Sequence, residues 1–126
     1  MDPKRILVAD DIATNRLLLS ELIRSTGNEV VLVDNGEKVI EALKQQEFHL
    51  VFMDIEMPVM NGLETTKYIR DKLTYPKNKT KVIALTAHNP DDFFEDYNNA
   101  GFDELLTKPY SFEKIIGILS SLDLVE

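Results

Sequence analysis

Short apolar segments rich in β-branched residues alternate with longer segments along the whole chain. Four of the short segments cover residues 5–9, 29–33, 49–53 and 81–85, and a weaker fifth covers residues 104–107. The third and fourth are almost continuously apolar, which is typical of strands that are covered on both faces. The pattern therefore predicts five short strands.

The longer segments carry apolar residues at the three- and four-residue spacing of amphipathic helices. Their apolar faces consist of Leu19, Leu22 and Ile23; Val39, Ile40 and Leu43; Leu63, Ile69 and Leu73; and Phe112, Ile115, Ile116, Leu119 and Leu122. Gly27 is placed to end the first of these helices, and Ser111 is placed to cap the last. A helix is therefore expected after each of the first three strands and after the fifth.

A further helix is predicted after the fourth strand, although its pattern is mostly polar. Asn89-Pro90-Asp91-Asp92 is a helix start signal, because it combines a cap residue, a proline at the first helical position and acids in the first turn. This fourth helix is predicted to reach Asn99 and has few apolar anchors. We expect it to be the most mobile element.

The strand–helix alternation repeats five times without a linker or an internal repeat, which predicts a single α/β domain over residues 1–126. Strands joined by helices are expected to be parallel, with helices on both faces of the sheet. Five strands suit a flavodoxin-like, doubly wound (βα)5 fold with strand order 2-1-3-4-5. In that order, ligands bind beyond the carboxyl ends of strands 1 and 3, where the winding reverses.

The composition of the chain excludes several function classes. The 126 residues carry a net charge of −8, which argues against direct nucleic-acid binding. Lys77, Lys79 and Lys81 are accordingly interpreted as a solvated surface. The chain has no cysteine, so disulfides, zinc–thiolate sites and thiol catalysis are excluded. Since no apolar segment is long enough for a membrane span or a signal peptide, we expect a cytoplasmic protein without direct membrane contact.

Polar side chains stand at the carboxyl ends of four predicted strands. Asp10 and Asp11 end strand 1, Asp54 ends strand 3, Thr86 ends strand 4 and Lys108 ends strand 5. Taken alone, Asp54 is as compatible with a structural role, as a helix cap or a turn residue, as with a functional one. Three clustered carboxylates, however, repel one another unless a cation intervenes, and Mg²⁺ prefers such oxygen ligands. With Lys108 and Thr86 nearby, the set is suited to phosphoryl transfer onto Asp54.

Four short motifs contain these residues. They are V-A-D-D at residues 8–11, M-D-I-E-M-P-V-M-N-G at 53–62, A-L-T-A at 84–87 and T-K-P at 107–109. In this order and spacing they resemble the response-regulator receiver domain of two-component signalling, over essentially the whole chain. The stretches around Asp11 and Pro58 look most like receivers of hybrid sensor histidine kinases.

The resemblance implies a metal site for Mg²⁺, in which Mn²⁺ or Ca²⁺ can substitute. Asp11, Asp54 and the backbone carbonyl of Glu56 would ligate the metal directly, and Asp10 would act through water.

The resemblance also implies that Asp54 accepts a phosphoryl group from a phosphohistidine or a small acyl phosphate. Thr86 would then hydrogen-bond the phosphoryl group, and Lys108 would pair with it. Such a domain catalyses its own phosphorylation and dephosphorylation without turning over a metabolite. Ala87 matches the family's need for access to the site, and the bond between Lys108 and Pro109 is expected to be cis. The expected output is a change on the face formed by the fourth helix, strand 5 and the last helix.

Three positions affect how a phosphorylation signal would be transmitted and how long it would last. Leu105 stands where the family usually has Tyr or Phe, so the usual coupling between threonine and aromatic ring is in question. Glu56 and His88 occupy variable positions beside the acceptor, which in relatives tune how fast the phosphoryl group is lost. His49 is interpreted as structural, so the chain is not expected to be a histidine phosphodonor.

The implied partners are a sensor histidine kinase or a histidine phosphotransfer protein, or a parent hybrid kinase in cis. The chain itself is expected to be a monomer or a weak dimer.

Two alternatives involve other functions. A haloacid-dehalogenase-type phosphatase also uses an aspartate nucleophile, Mg²⁺ and a lysine, but it requires a second Asp where this chain has Glu56. A pseudo-receiver or flavin-type binding module is disfavoured, because the acids are intact and no phosphate-cradling glycine loop follows strand 1.

Overall fold

Strands and helices alternate along the chain, as the sequence predicts. The computed structural model describes residues 4–87, 100–108 and 111–124. The strands are β1 (Arg5–Ala9), β2 (Glu29–Val33), β3 (Leu50–Asp54), β4 (Lys81–Thr86) and β5 (Glu104–Thr107). The helices are α1 (Ala13–Arg24), α2 (Gly36–Gln45), α3 (Gly62–Lys72) and the C-terminal helix (Phe112–Ser121), with a short 3₁₀ helix at Lys77–Lys79. The predicted fourth helix lies outside the described residues.

The five strands form one parallel sheet of order β2-β1-β3-β4-β5, which confirms the predicted flavodoxin-like topology. β1 and β3 are neighbours with Ala9 opposite Met53, so their carboxyl ends lie at the same edge of the sheet. Asp54 lies opposite Leu85 of β4. Because the winding reverses between β1 and β3, a crevice is expected just beyond these ends.

Two strands extend beyond their predicted bounds. β3 covers Leu50–Asp54 rather than 49–53, and β4 continues to Thr86. His49 lies just before β3, where its amide donates to the Arg5 carbonyl and its Nδ1 accepts from the Arg5 amide. Asp54 and Thr86 are therefore held by the sheet itself rather than by the loops that follow it.

Apolar side chains cover the sheet on both faces. On one face, Phe52 belongs to a cluster with Leu19 of α1 and Ile115 of the C-terminal helix. On the other face, Met53 belongs to a cluster with Ile69 of α3. Every residue of β3 is buried, which explains why its sequence reads as a continuous apolar run that ends in a carboxylate.

The helix ends largely follow the sequence signals. Gly27, just after α1, has φ of 89°, a left-handed conformation that favours glycine. Ser111 caps the C-terminal helix through its side chain, and Asn61 forms a capping box with Glu64 at the start of α3. Leu73, expected on the apolar face of α3, packs against the core from the position just after that helix. No helix in the described ranges is long and apolar enough to cross a membrane.

Arg70 of α3 contacts both the segment that precedes β4 and the segment that precedes β5. Its guanidinium donates to the carbonyls of Asn78 (2.9 Å), Thr80 (2.8 Å) and Gly101 (3.0 Å) and to the carboxylate of Asp103 (3.0 Å). Burial lowers the pKa of Arg70, and the nearby Asp103 charge opposes that change. One side chain therefore satisfies three carbonyl groups that the sheet leaves unpaired.

Replacing Arg70 should destabilise the fold. In Arg70→Met the three carbonyls lose this donor and Asp103 loses its ion-pair partner on α3, so we expect the free energy of unfolding to fall by about 2–3 kcal/mol. Urea denaturation would measure the change. Lys67→Met is the matched control, because Lys67 is exposed on the same helix and the charge change is equal. Equal effects of the two substitutions would contradict the assigned role.

Two glycines should respond in opposite directions to alanine. A Cβ at Gly117, in the C-terminal helix, would meet nothing within 4 Å, so Gly117→Ala should stabilise the fold by about 0.5–1 kcal/mol. A Cβ at Gly62 would lie 2.6 Å from the carbonyl oxygen of Asp54, so Gly62→Ala should destabilise it. Thermal unfolding of both variants checks the contrast, and a shift of the same sign in both would refute it.

Candidate functional site

A cleft of about 340 Å³ opens at the carboxyl edge of the sheet, at the predicted place. It is lined by Asp11, Ile12, Asn15, Asp54, Ile55, Glu56, Thr86, Ala87 and Lys108. The set contains most of the residues that the sequence analysis singled out, and Ile12 and Asn15 in addition. These two were missed because a sequence pattern does not reveal which side chains at the start of α1 face the cleft.

Three carboxylates converge beside the cleft. Asp10, directly after β1, is fully buried, Asp54 is 5% exposed, and Asp11 is exposed to solvent. Each of the three offers an oxygen within 4.8 Å of those of the other two. Like charges at this separation repel, and burial strengthens the repulsion because little water screens it.

Lys108 is the cation that faces this cluster. Its Nζ lies 3.0 Å from Asp54 Oδ2 and 3.7 Å from Asp10 Oδ2. Burial nevertheless raises the pKa of the Asp54 carboxyl; the hydrogen bond and charge of Lys108 oppose this change, and the Asp10 charge adds to it. A single lysine therefore offsets the negative charge of the cluster only in part.

Backbone amides orient two of the carboxylates. Asp10 Oδ1 accepts the amide of Ile12 at 2.9 Å, and Asp54 Oδ1 accepts the amide of Glu56 at 3.2 Å. The second contact is a turn interaction, so the turn interpretation of Asp54 holds alongside its place in the cluster. Asp54 caps no described helix, since α3 begins at Asn61 with its own capping box.

The residues present fit a hard divalent cation. The donor set consists of carboxylate oxygens, which Mg²⁺ prefers over nitrogen or sulfur ligands. Asp10 Oδ2 is buried and has no hydrogen-bond partner within the described ranges, which leaves it able to accept from a metal-bound water. The fit rests on this donor chemistry and on the shortage of positive charge.

The remaining predicted residues divide into those at the cleft and those elsewhere. Thr86 is 2% exposed at the end of β4, and Ala87 lines the cleft from the next position. The amide of Lys108 donates to the Thr86 carbonyl at 2.7 Å, so these two residues are joined through the main chain. Leu105 is partly buried and packs against Ile55, which lines the cleft, and against Ala84.

Two predicted positions cannot be placed. His88 and Pro109 lie outside the described residues, so the expected cis bond after Lys108 stays a prediction.

Comparison with known proteins identifies the family. Residues 6–120 match the family model of the response regulator receiver domain. The chain belongs to this family. It is thus a receiver domain of two-component signalling, which confirms the resemblance stated from the motifs.

The relatives of this receiver include large sensor proteins. It is 32% identical over 118 residues to the sensory/regulatory protein RpfC of Xanthomonas campestris, covering 94% of this chain and 16% of RpfC. It is 35% identical over 113 residues to hybrid signal transduction histidine kinase C of Dictyostelium discoideum, covering 86% of this chain and 9% of that kinase. The chain therefore spans less than a fifth of these relatives.

A solved structure also matches the receiver. The receiver domain of sensor histidine kinase PA1611 from Pseudomonas aeruginosa superposes with a TM-score of 0.86 and 28% identity, covering 95% of this chain and 97% of that one. That crystal structure holds a magnesium ion coordinated in its active site cleft. Membership in the family favours the receiver interpretation over the phosphatase and the flavin-type module.

Proposed function

We propose that this receiver accepts a phosphoryl group on Asp54 from the phosphohistidine of a sensor histidine kinase or a histidine phosphotransfer protein. The observation that carries the proposal is the position of Asp54: its carboxylate lies in a cleft between two further acids and 3.0 Å from Lys108. A carboxylate in that setting can act as a nucleophile toward phosphorus. A parent hybrid kinase is a candidate donor in cis, since the relatives are longer proteins.

The transfer balances as a simple displacement. An oxygen of Asp54 bonds to phosphorus while the phosphorus–nitrogen bond to the donor imidazole breaks, and the nitrogen keeps the electron pair and takes up a proton. The hydrogen bond and charge of Lys108 favour the ionised, nucleophilic form of Asp54, and Lys108 would then face the oxygens of the transferred group. In the proposed product, Thr86 would donate a hydrogen bond from its hydroxyl to one of those oxygens. Positioning and charge neutralisation of this kind supply most of the catalysis in phosphoryl transfer.

The acid cluster supplies the second part of the proposal. Asp11, Asp54 and the backbone carbonyl of Glu56 would hold Mg²⁺, and Asp10 would act through water. When bound, the metal neutralises charge that builds up on the phosphoryl oxygens. Support comes from the carboxylates within 4.8 Å of one another and from the magnesium ion in the PA1611 receiver. Substitution by Mn²⁺ or Ca²⁺, the cytoplasmic location and the monomeric or weakly dimeric state stay predictions.

Phosphorylation would change the β5 side of the domain. It adds close to two negative charges and three acceptor oxygens beside Thr86 and Lys108. Because the Lys108 amide is bonded to the Thr86 carbonyl, displacement of Thr86 also displaces the end of β5. The proposed output face therefore comprises β5, the segment before it and the C-terminal helix. Leu105 would transmit the change by packing against Ala84, in place of a swinging aromatic ring.

Exposed apolar side chains suit the proposed protein partner. Ile12, which lines the cleft, and Phe112, at the start of the C-terminal helix, are each 50% exposed. Leu17 and Leu18 of α1 are likewise exposed, at 57% and 50%. A helical partner that presents a phosphohistidine could bury these side chains while its imidazole reaches Asp54.

Phosphorylation by acetyl phosphate tests the proposal directly. After incubation with acetyl phosphate and Mg²⁺, intact mass spectrometry should show the added mass of one phosphoryl group. Asp54→Asn should abolish the addition, whereas Asp34→Asn, which removes an acid at the end of β2, should keep it. Absence of the added mass in the wild-type protein would overturn the proposal.

Mg²⁺ should stabilise the fold through Asp11. At about one hundred times its dissociation constant, a ligand that binds only the folded state adds about 2.7 kcal/mol to the free energy of unfolding. Asp11→Asn should lose most of this gain but be slightly more stable without metal, because one of three repelling charges is removed. Urea denaturation with and without Mg²⁺ measures both effects. Glu21→Gln, an equal charge change at an exposed position of α1, is the control; full Mg²⁺ stabilisation in Asp11→Asn would contradict the assignment.

A further inference from the structure

Arg16 contacts the main chain of the acid cluster. It is the fourth residue of α1 and is half-buried, and its Nη1 donates to the backbone carbonyl of Asp10 at 2.7 Å. That carbonyl belongs to a residue whose carboxylate is fully buried among the acids. The contact links the first helix to the strand end that carries two of the three carboxylates.

The helix itself gains little from an arginine at this position. A cation near the amino terminus of a helix opposes the helix dipole, and α1 has no acid in its first turn to offset it. Its N-cap is Ile12, whose side chain cannot cap the helix. Arg24, in the last turn, stands where a helix favours a cation. Local rules broken in this way are expected at functional sites.

Each polar group of Asp10 lies next to a different residue. Its amide donates to the Val33 carbonyl of β2 at 3.2 Å, and its carbonyl accepts from Arg16. Its Oδ1 accepts from the Ile12 amide, and its Oδ2 faces Lys108. The Arg16 contact is the one that fixes the peptide plane between Asp10 and Asp11, since the Asp10 carbonyl belongs to that plane.

We infer that Arg16 is a positioning residue for the cation site: it fixes the peptide plane between Asp10 and Asp11 so that both carboxylates converge with that of Asp54. The inference rests on the proposed function, because it concerns the metal site assigned there. Arg16 itself contacts neither the carboxylate oxygens nor the reacting atoms, and acts only through the main chain.

Asp34 provides the guanidinium with a counter-charge. The hydrogen bond and charge of Lys38 lower the pKa of the Asp34 carboxyl, and the Arg16 charge adds to that effect. Lys38 Nζ lies 2.9 Å from Asp34 Oδ1. The negative charge of Asp34 offsets part of the repulsion that Arg16 exerts on a bound cation.

The direction in which the Mg²⁺ affinity changes when Arg16 is removed distinguishes a positioning role from a purely electrostatic one. A positive charge close to a cation site repels the cation, so removal of Arg16 should strengthen Mg²⁺ binding if its charge alone matters. Removal should weaken binding if Arg16 fixes the ligands, because loss of a supporting contact to a metal ligand costs about tenfold or more in affinity. The two roles therefore predict opposite changes.

Isothermal titration calorimetry of the full chain with Mg²⁺ alone, at constant ionic strength, provides the test. We expect Arg16→Met to bind Mg²⁺ about tenfold more weakly than the wild-type protein. Arg24→Met is the matched control: it removes the same charge from the same helix and should bind Mg²⁺ with unchanged or slightly higher affinity. Arg16→Lys, which keeps the charge and one donor, should recover part of the loss. Equal or tighter binding by Arg16→Met would overturn the inference.

A second measurement separates positioning from general loss of structure. The rate of Asp54 phosphorylation by acetyl phosphate in Arg16→Met should be low at limiting Mg²⁺ and should recover at saturating Mg²⁺. A rate that stays low at saturation would count against the inference. If Arg16→Met does not fold, as judged by circular dichroism, Arg16→Gln takes its place with the same criteria.

The outcomes also separate this inference from the proposed function. If the wild-type protein does not bind Mg²⁺, both the metal site and the role of Arg16 are wrong. If it binds Mg²⁺ but Asp54 is not phosphorylated, the phosphoacceptor proposal fails while the calorimetry still decides the role of Arg16.

Discussion

Repulsion among three carboxylates is the unfavourable interaction that the rest of this domain must outweigh. Asp10, Asp11 and Asp54 each offer an oxygen within 4.8 Å of the others, and two of the three are buried. Lys108 offsets part of the charge, yet burial and the Asp10 charge keep the pKa of Asp54 raised. The metal-free fold therefore carries an unfavourable interaction that the rest of the structure must outweigh. It is outweighed by the sheet itself, since β3 is buried along its whole length and is covered by apolar clusters on both faces.

Much of this arrangement could be predicted from the sequence, because it depends on local periodicity and on rules for parallel sheets. Apolar runs and helical spacing indicated the elements, and the strand order placed Asp10, Asp54 and Lys108 at one edge. The contacts of Arg16 and Arg70 could not be predicted in this way. Each arginine reaches backbone carbonyls in other segments, up to 31 residues away for Arg70, and carbonyls have no sequence signature. The extra residue at the end of β3 depends likewise on its pairing with β4.

The two halves of the sheet differ in how firmly they are held. β1 and β3 are central, and all residues of β1 except the first are buried, so the acids stand on a rigid support. β5 is an edge strand that pairs with β4 alone, and only Leu106 among its residues is buried. A change in charge at the cleft is therefore expected to displace the end of β5 more readily than the end of β1. The output face that we propose lies on this less tightly packed side of the sheet.

In the proposed switch, the hydrogen bond between the Lys108 amide and the Thr86 carbonyl links the cleft to the end of β5. Thr86 is nearly fully buried at the end of β4, and a displacement of its main chain would carry its carbonyl and hence the end of β5. An aromatic ring in place of Leu105 would add a second, rotameric response to the same movement. Leu105 instead packs against Ile55, which lines the cleft, and against Ala84 of the neighbouring strand β4. The transmission that we propose, through main-chain displacement and side-chain packing, therefore requires no ring rotation.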